Sequence, residues 1–166
     1  MAISLLHAPI HYIELSHDRE GTVYERIQTG LNEILVIRYI HSVMKTPVYE
    51  YYRVMPDRRL LLTETEFSSY GAGLPEKGEY DFEITDKGFR VYNINHPFGF
   101  IVYRTAPIGT GAEITLIAGG EEHPLLSLSE ERTPVRITIK KDPTWLFQIR
   151  EGSKWLMKRG NPATQN

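Results

Sequence analysis

The sequence predicts an all-β fold, a single-domain antiparallel β-sandwich, with a partly closed β-barrel as the alternative. Three observations carry this expectation. Runs of β-branched and aromatic residues, broken by turn formers, recur at roughly 8–12 residue spacing along most of the chain. A helical stripe, apolar at steps of three and four over about 11–18 residues, is approached only over residues 145–158. A meander of strands also needs a second layer, because an isolated hairpin is marginal in water and open edges invite aggregation.

Residues 10–16 read as the first strand, Asp18-Arg19-Glu20-Gly21 as its turn, residues 22–28 as the second strand and Thr29-Gly30-Leu31-Asn32 as the next turn. Residues 33–41 form the third strand. After a loop over 42–46, residues 48–54 and 60–68 complete a meander around Met55-Pro56-Asp57-Arg58, where Pro56 presets the second turn position. Beyond a loop rich in Gly and Pro at 70–78, strands are expected at 80–85, 89–93, 99–104, 113–118 and 135–140, with Asp86-Lys87-Gly88 closing one hairpin. Over 145–158, Gly152 interrupts the helical pattern and Trp145, Phe147 and Ile149 alternate. A hairpin turning at Arg150-Glu151-Gly152-Ser153 therefore fits at least as well as a helix. Residues 1–9 read as disordered or a leader remnant, 10–158 as one β domain and 159–166 as a frayed tail. No repeat or linker supports a second domain.

The 166 residues are 41% hydrophobic and 24% charged, an ordinary mixture for a chain with one core and unlike a disordered segment. Nineteen Lys and Arg against 21 Asp and Glu give a net charge of -2, so a nucleic-acid partner is not expected. The absence of Cys excludes disulfides, zinc-thiolate and iron–sulfur sites and cysteine nucleophiles. His7, His11 and His17 crowd the opening residues, and His96 and His123 each precede a proline in apparent loops. No standard ligand spacing arises, so neither a metal nor another cofactor is expected. Apolar runs stay as short as Leu60-Leu61-Leu62, against about 20 residues for a spanning helix, so the chain as given is expected to be soluble. Its opening residues lack the pattern of a signal peptide, which leaves a cytoplasmic location or a removed leader.

Two stretches concentrate reactive side chains. Residues 38–50 hold Arg38, His41, Ser42, Lys45, Thr46 and Glu50 around one loop, and residues 64–75 run from Glu64 into Tyr70-Gly71-Ala72-Gly73. The meander puts both loops at the same end of the sheet, where they can share a site. Alternation places Glu50 among Val48, Tyr52 and Val54, so its carboxylate needs a partner, with Lys45, Arg38 and His41 nearby. Glu64 and Glu66 share one face of their strand. Tyr49 and Tyr51 share the face opposite Glu50, where exposure would make them a contact surface. Ser42 beside His41 reads more simply as a turn residue than as a nucleophile, since triad members seldom adjoin in sequence. The glycine loop lacks the lysine and helix of a phosphate loop.

The string Arg38-Tyr39-x-His41-Ser42-Val43-x-Lys45-Thr46-Pro47-Val48-x-Glu50-x-Tyr52-x-Val54, followed by Leu61-Leu62-x-Glu64-x-x-Phe67-x-Ser69-Tyr70-Gly71-Ala72-Gly73-Leu74-Pro75, resembles the bacterial and archaeal family called domain of unknown function 1850. Weaker similarity extends over residues 10–140. The resemblance implies a small extracytoplasmic protein, in the periplasm or at the cell surface, usually with an N-terminal membrane-targeting segment. It also implies an association with permeases, or their solute-binding proteins, of tripartite ATP-independent periplasmic (TRAP) transporters of the TAXI type, which take up small organic acids. The expected function is a binding or accessory module for a small polar ligand or the transporter. Its surface would comprise Arg38, His41, Ser42, Lys45, Thr46, Glu50, Glu64, Tyr70, Gly71 and Gly73. One alternative is a hydrolase-like or other enzyme using His41 with Glu50 or Glu64; the other is a purely structural β domain.

Overall fold

In the computed structural model, described over residues 7–41, 43–68, 80–86 and 88–159, with side chains to residue 152, two antiparallel sheets stack as a sandwich. In chain order the strands are β1 (Pro9–His17), β2 (Val23–Thr29), β3 (Ile34–Ile40), β4 (Pro47–Val54), β5 (Leu60–Phe67), β6 (Asp81–Thr85), β7 (Gly88–Phe98), β8 (Ile101–Arg104), β9 (Ile114–Ala118), β10 (Glu121–Pro124) and β11 (Pro134–Pro143). A four-stranded sheet runs β2-β1-β11-β8, and a seven-stranded sheet runs β10-β9-β3-β4-β5-β7-β6. Neither closes into a barrel.

The two sheets meet through alternating apolar positions. Ile13, Leu15, Ile137 and Ile139 of the smaller sheet pack on Leu35, Ile37, Tyr52, Val54, Leu60 and Leu116 of the larger, all nearly fully buried. A second cluster, Val48, Phe67, Phe89 and Val91, belongs to the larger sheet, with Tyr80 packed against it. The hairpin expected at 86–88 joins β6 to β7, with Thr85 opposite Gly88. Gly88 has a φ of 135°, and a Cβ there would lie 2.5 Å from the Phe67 carbonyl oxygen, so only glycine lets this turn approach the end of β5.

Two expectations change. Residues 145–158 are helical rather than a hairpin: they belong to α2 (Thr144–Arg159), which follows a short α1 (Leu125–Leu128). The alternation of Trp145, Phe147 and Ile149 reflects two sides of one helix, since Phe147 packs its ring 5.0 Å from that of Tyr12 while Trp145 and Ile149 are exposed. Arg150 bonds Asp142 and reaches the Tyr12 hydroxyl at 3.2 Å, which seats the helix on the outer face of the smaller sheet. His96 lies in β7 and His123 in β10, not in loops. His11 lies in β1, as the strand expected over 10–16 places it, and His17 ends that strand. The His123 Nδ1 lies 3.1 Å from the Glu25 carboxylate, joining β10 of one sheet to β2 of the other.

Candidate functional site

The loop between β3 and β4 is organised by His41. Its backbone N–H donates to the Thr46 carbonyl at 2.9 Å, and its carbonyl accepts from Lys45 N–H at 2.9 Å. Its Nδ1 accepts from the N–H groups of Val43 and Met44 at 3.3 and 3.2 Å. Lys45 takes a φ of 54°, the left-handed conformation that closes the loop. In this arrangement His41 satisfies amides that have no sheet partner, which is a turn-stabilising role. Ser42, Tyr70, Gly71 and Gly73 lie outside the described residues.

Glu50 points between the sheets, as alternation requires, but its partners are not Lys45, Arg38 or His41. Its carboxylate accepts from the hydroxyls of Tyr39 at 3.1 Å, Tyr52 at 2.8 Å and Tyr103. Tyr103 comes from β8 in the opposite sheet, so the bond ties one layer to the other. Burial, reinforced by the neighbouring Glu50 charge, raises all three phenols well above their ordinary value. Arg38 instead turns to the outer face and forms a bidentate pair with Glu122 at 2.8 and 2.9 Å.

That outer face of the larger sheet is where the remaining candidates converge. Strand register sets Arg38 opposite Tyr49, Tyr49 opposite Glu66, Glu66 opposite Arg90, and Arg90 opposite Glu83. The neighbouring row carries Val36, Tyr51, Glu64, Tyr92 and Asp81 in the same way. Diagonal contacts knit the rows together. Arg90 grips Glu64 through two bonds of 2.6 Å, reaches Glu83 at 3.0 Å and lies over the Tyr92 ring at 5.0 Å. The Tyr51 hydroxyl donates to Glu66 at 3.0 Å; burial first, then that carboxylate, pushes it up to about 12. Bonds to Glu64 and Glu83 also raise the Arg90 guanidinium above its ordinary value.

Two open hollows flank the Glu64–Arg90 pair. One, of about 440 Å³, is bordered by Pro47, Tyr49, Glu66, Ser68, Glu83 and Asp86; the other, of about 330 Å³, by Tyr51, Arg53, Thr63, Tyr92 and Asn93. Pro47 and Ser68, one from within each of the two sequence blocks, border one hollow, and Val48 pairs with Phe67. The loop over 70–78 that would meet it lies outside the described residues. The first hollow is acidic, with four carboxylates against Arg90. Among the described residues, no group of three or more His, Cys, Asp or Glu side chains is placed to hold a metal ion.

Residues 35–125, more than half of the chain, match the family described as Domain of unknown function (DUF1850). The chain belongs to that family. The match covers β3 to β10, and so takes in the whole outer face from Arg38 to Arg90 as well as the Glu50 cluster. No curated protein and no solved structure matches the chain. The resemblance read from the two blocks is therefore correct at the level of the family. What reading the sequence missed is Arg90, Glu83 and Tyr92, whose link to Glu64 and Glu66 arises only when β7 returns beside β5. The available signal was the polar alternation Arg90, Tyr92 and Glu83, Asp81 on strands whose other faces carry Val91 and Phe82.

Proposed function

We propose that this chain is a non-enzymatic accessory or binding module working through the outer face of its seven-stranded sheet, in the service of a TRAP-type uptake system of the TAXI class. The observation that carries binding is the lattice of Tyr49, Tyr51 and Tyr92 interleaved with the Glu64–Arg90–Glu83 pairs, on strands that hold them rigidly beside two open hollows. Aromatic rings with polar tips give contact area at low entropic cost, and rigid strands preserve their geometry. The transporter part of the reading, and with it an extracytoplasmic location, rests on the family resemblance.

The sign of the charge narrows the ligand. Arg90 is already shared between Glu64 and Glu83, and the larger hollow has an excess of carboxylates, which repel a free organic acid. The reading is therefore docking onto the permease or its solute-binding protein rather than capture of the transported acid. The enzymatic alternative finds its groups engaged elsewhere: His41 holds loop amides, Glu50 holds three phenols and Glu64 holds Arg90. These positioning contacts favour the docking reading over catalysis.

Co-elution of the purified chain with the permease and with the solute-binding protein tests this. Association is expected with one of them, and is expected to fall at least tenfold in a Tyr49→Ala/Tyr51→Ala variant whose melting temperature is retained. Thermal-shift screening with carboxylates and amino acids runs beside it, because a ligand at a hundred times its dissociation constant adds about 2.7 kcal/mol. Failure of both transporter components to associate, whatever the screen shows, rejects the docking reading.

A further inference from the structure

The last strand of the larger sheet is β6: among the described strands it pairs with β7 alone. Unpaired N–H and C=O groups along such an edge are a template for a further strand. Natural edges are commonly blunted by shortness, a bulge, a proline or charged side chains. β6 reads Asp-Phe-Glu-Ile-Thr: it carries no proline and keeps an unbroken register with β7, and its two charges, Asp81 and Glu83, are both acidic, so they oppose a like-charged strand and admit a basic one. Its two faces differ sharply. Asp81 and Glu83 lie on the outer face opposite Tyr92 and Arg90, while Phe82 and Ile84 lie on the other, 41% and 68% exposed. Phe82 stacks on Phe89 at 5.8 Å, so this apolar row continues the Phe67–Phe89–Val91 cluster out to the edge. On the outer side Glu64, Glu66 and Asp86 add to the acidic excess over Arg90.

We propose that β6 accepts a strand from a different protein, an extended segment alternating basic and apolar residues, with the basic ones against Asp81 and Glu83 and the apolar ones against Phe82 and Ile84. Charge selects this occupant over a second copy of the chain. Full antiparallel pairing of two β6 edges sets Glu83 against Glu83, and the register displaced toward Asp81 sets Asp81 against Glu83; the register displaced toward Thr85 avoids like charges but leaves Asp81 and Phe82 of each copy without a β6 partner. Like charges directly opposite destabilise a strand pair. A basic residue at these positions turns the same contacts favourable, while β-branched residues on the alternate positions cover Phe82 and Ile84. The inference stands whether or not a transporter component is the partner, since it concerns the sheet edge and not the tyrosine face.

The test is titration of the ¹⁵N-labelled full chain with a blocked synthetic peptide, Thr-Lys-Val-Lys-Val-Lys-Thr, and with its counterpart carrying Glu for Lys. The expected result is saturable shifts of the β6 amides with the lysine peptide, slowed hydrogen exchange at those facing away from β7, and at least tenfold weaker binding of the glutamate peptide. Asp81→Lys and Ile84→Lys, both at exposed positions, are each expected to weaken lysine-peptide binding at least tenfold, with the fold of each checked from its amide spectrum. Absence of binding, equal binding of the two peptides, shifts centred away from β6, or binding retained in both folded variants overturns the proposal. So does self-association of the chain that Ile84→Lys abolishes, which would make a second copy the occupant.

Discussion

Glu50 occupies a position that strand alternation reserves for an apolar side chain, and three phenols solvate it in place of a cation. A buried carboxylate left without donors is costly, and removing it orphans the hydroxyls that faced it. Glu50→Ala is therefore expected to lower stability by about 3 kcal/mol, and Tyr103→Phe, which leaves two donors in place, by about 1–2 kcal/mol. Urea denaturation with an unchanged m-value checks both; a loss under about 0.5 kcal/mol for Glu50→Ala would mean that the cluster is not the tie between the layers. The same cluster sets an alkaline limit. Tyr39, Tyr52 and Tyr103 keep their protons in the folded state at pH values where an unfolded tyrosine loses its own, so the folded chain binds more protons above about pH 10. Stability is thus fully present below pH 10 and falls as pH rises beyond it. Absorbance at 295 nm is expected to show these phenolates appearing only together with unfolding, and their reversible titration in the folded protein would contradict the burial argument. The oddness of Glu50 was legible from its apolar neighbours in the strand. Its donors were not, because Tyr103 lies 53 residues away and meets it only through stacking of the two sheets.

At the scale of elements, period-two alternation and turn residues located the strands of both sheets, including the meander that carries Tyr49, Tyr51, Glu64 and Glu66. The exceptions have physical causes. β10, Glu-Glu-His-Pro, has no apolar alternation because its edge position and pairing with β9 hold it instead of burial. α2 was obscured by Gly152 and by the exposure of Trp145 and Ile149 on either side of Phe147, which weakens a stripe of period 3.6. These glycines now make opposite predictions. Gly152 is exposed, and a Cβ there meets nothing within 4 Å, so Gly152→Ala is expected to stabilise by about 0.5–1 kcal/mol through helix propensity. A turn glycine at the tip of a hairpin would give the reverse sign, so the measurement decides between helix and hairpin. Gly88→Ala must move backbone at Phe67 and Ser68 while holding a positive φ, and a loss of about 2–4 kcal/mol in chemical denaturation is expected.

Across the whole molecule the two hydrophobic clusters divide the larger sheet into parts with different support. β3, β4 and β9 are sandwiched: Leu35, Ile37, Tyr52 and Leu116 meet Ile13, Ile137 and Ile139 of the opposite layer. β6 and much of β7 rest on Val48, Phe67, Phe89 and Val91, with no residue of the smaller sheet in that cluster. A segment with fewer buried apolar contacts opens at lower free energy than the core, as a local unit. Native-state hydrogen exchange is therefore expected to place the amides of β6 and the first half of β7 in a sub-global opening, while those of β1 and β11 exchange only with global unfolding. Val91, 3% exposed, and Ile137, fully buried, separate the two events. Val91→Ala, costing about 1–2 kcal/mol, is expected to lower the sub-global opening by its full effect, and Ile137→Ala, costing about 2–5 kcal/mol, to lower the global transition. Equal protection of β6 and β1 would show that the outlying strands fold as one unit with the sandwich. A β6 that opens first would also be the element most readily stabilised by an added strand, because a ligand that binds only the closed edge deepens protection there before anywhere else.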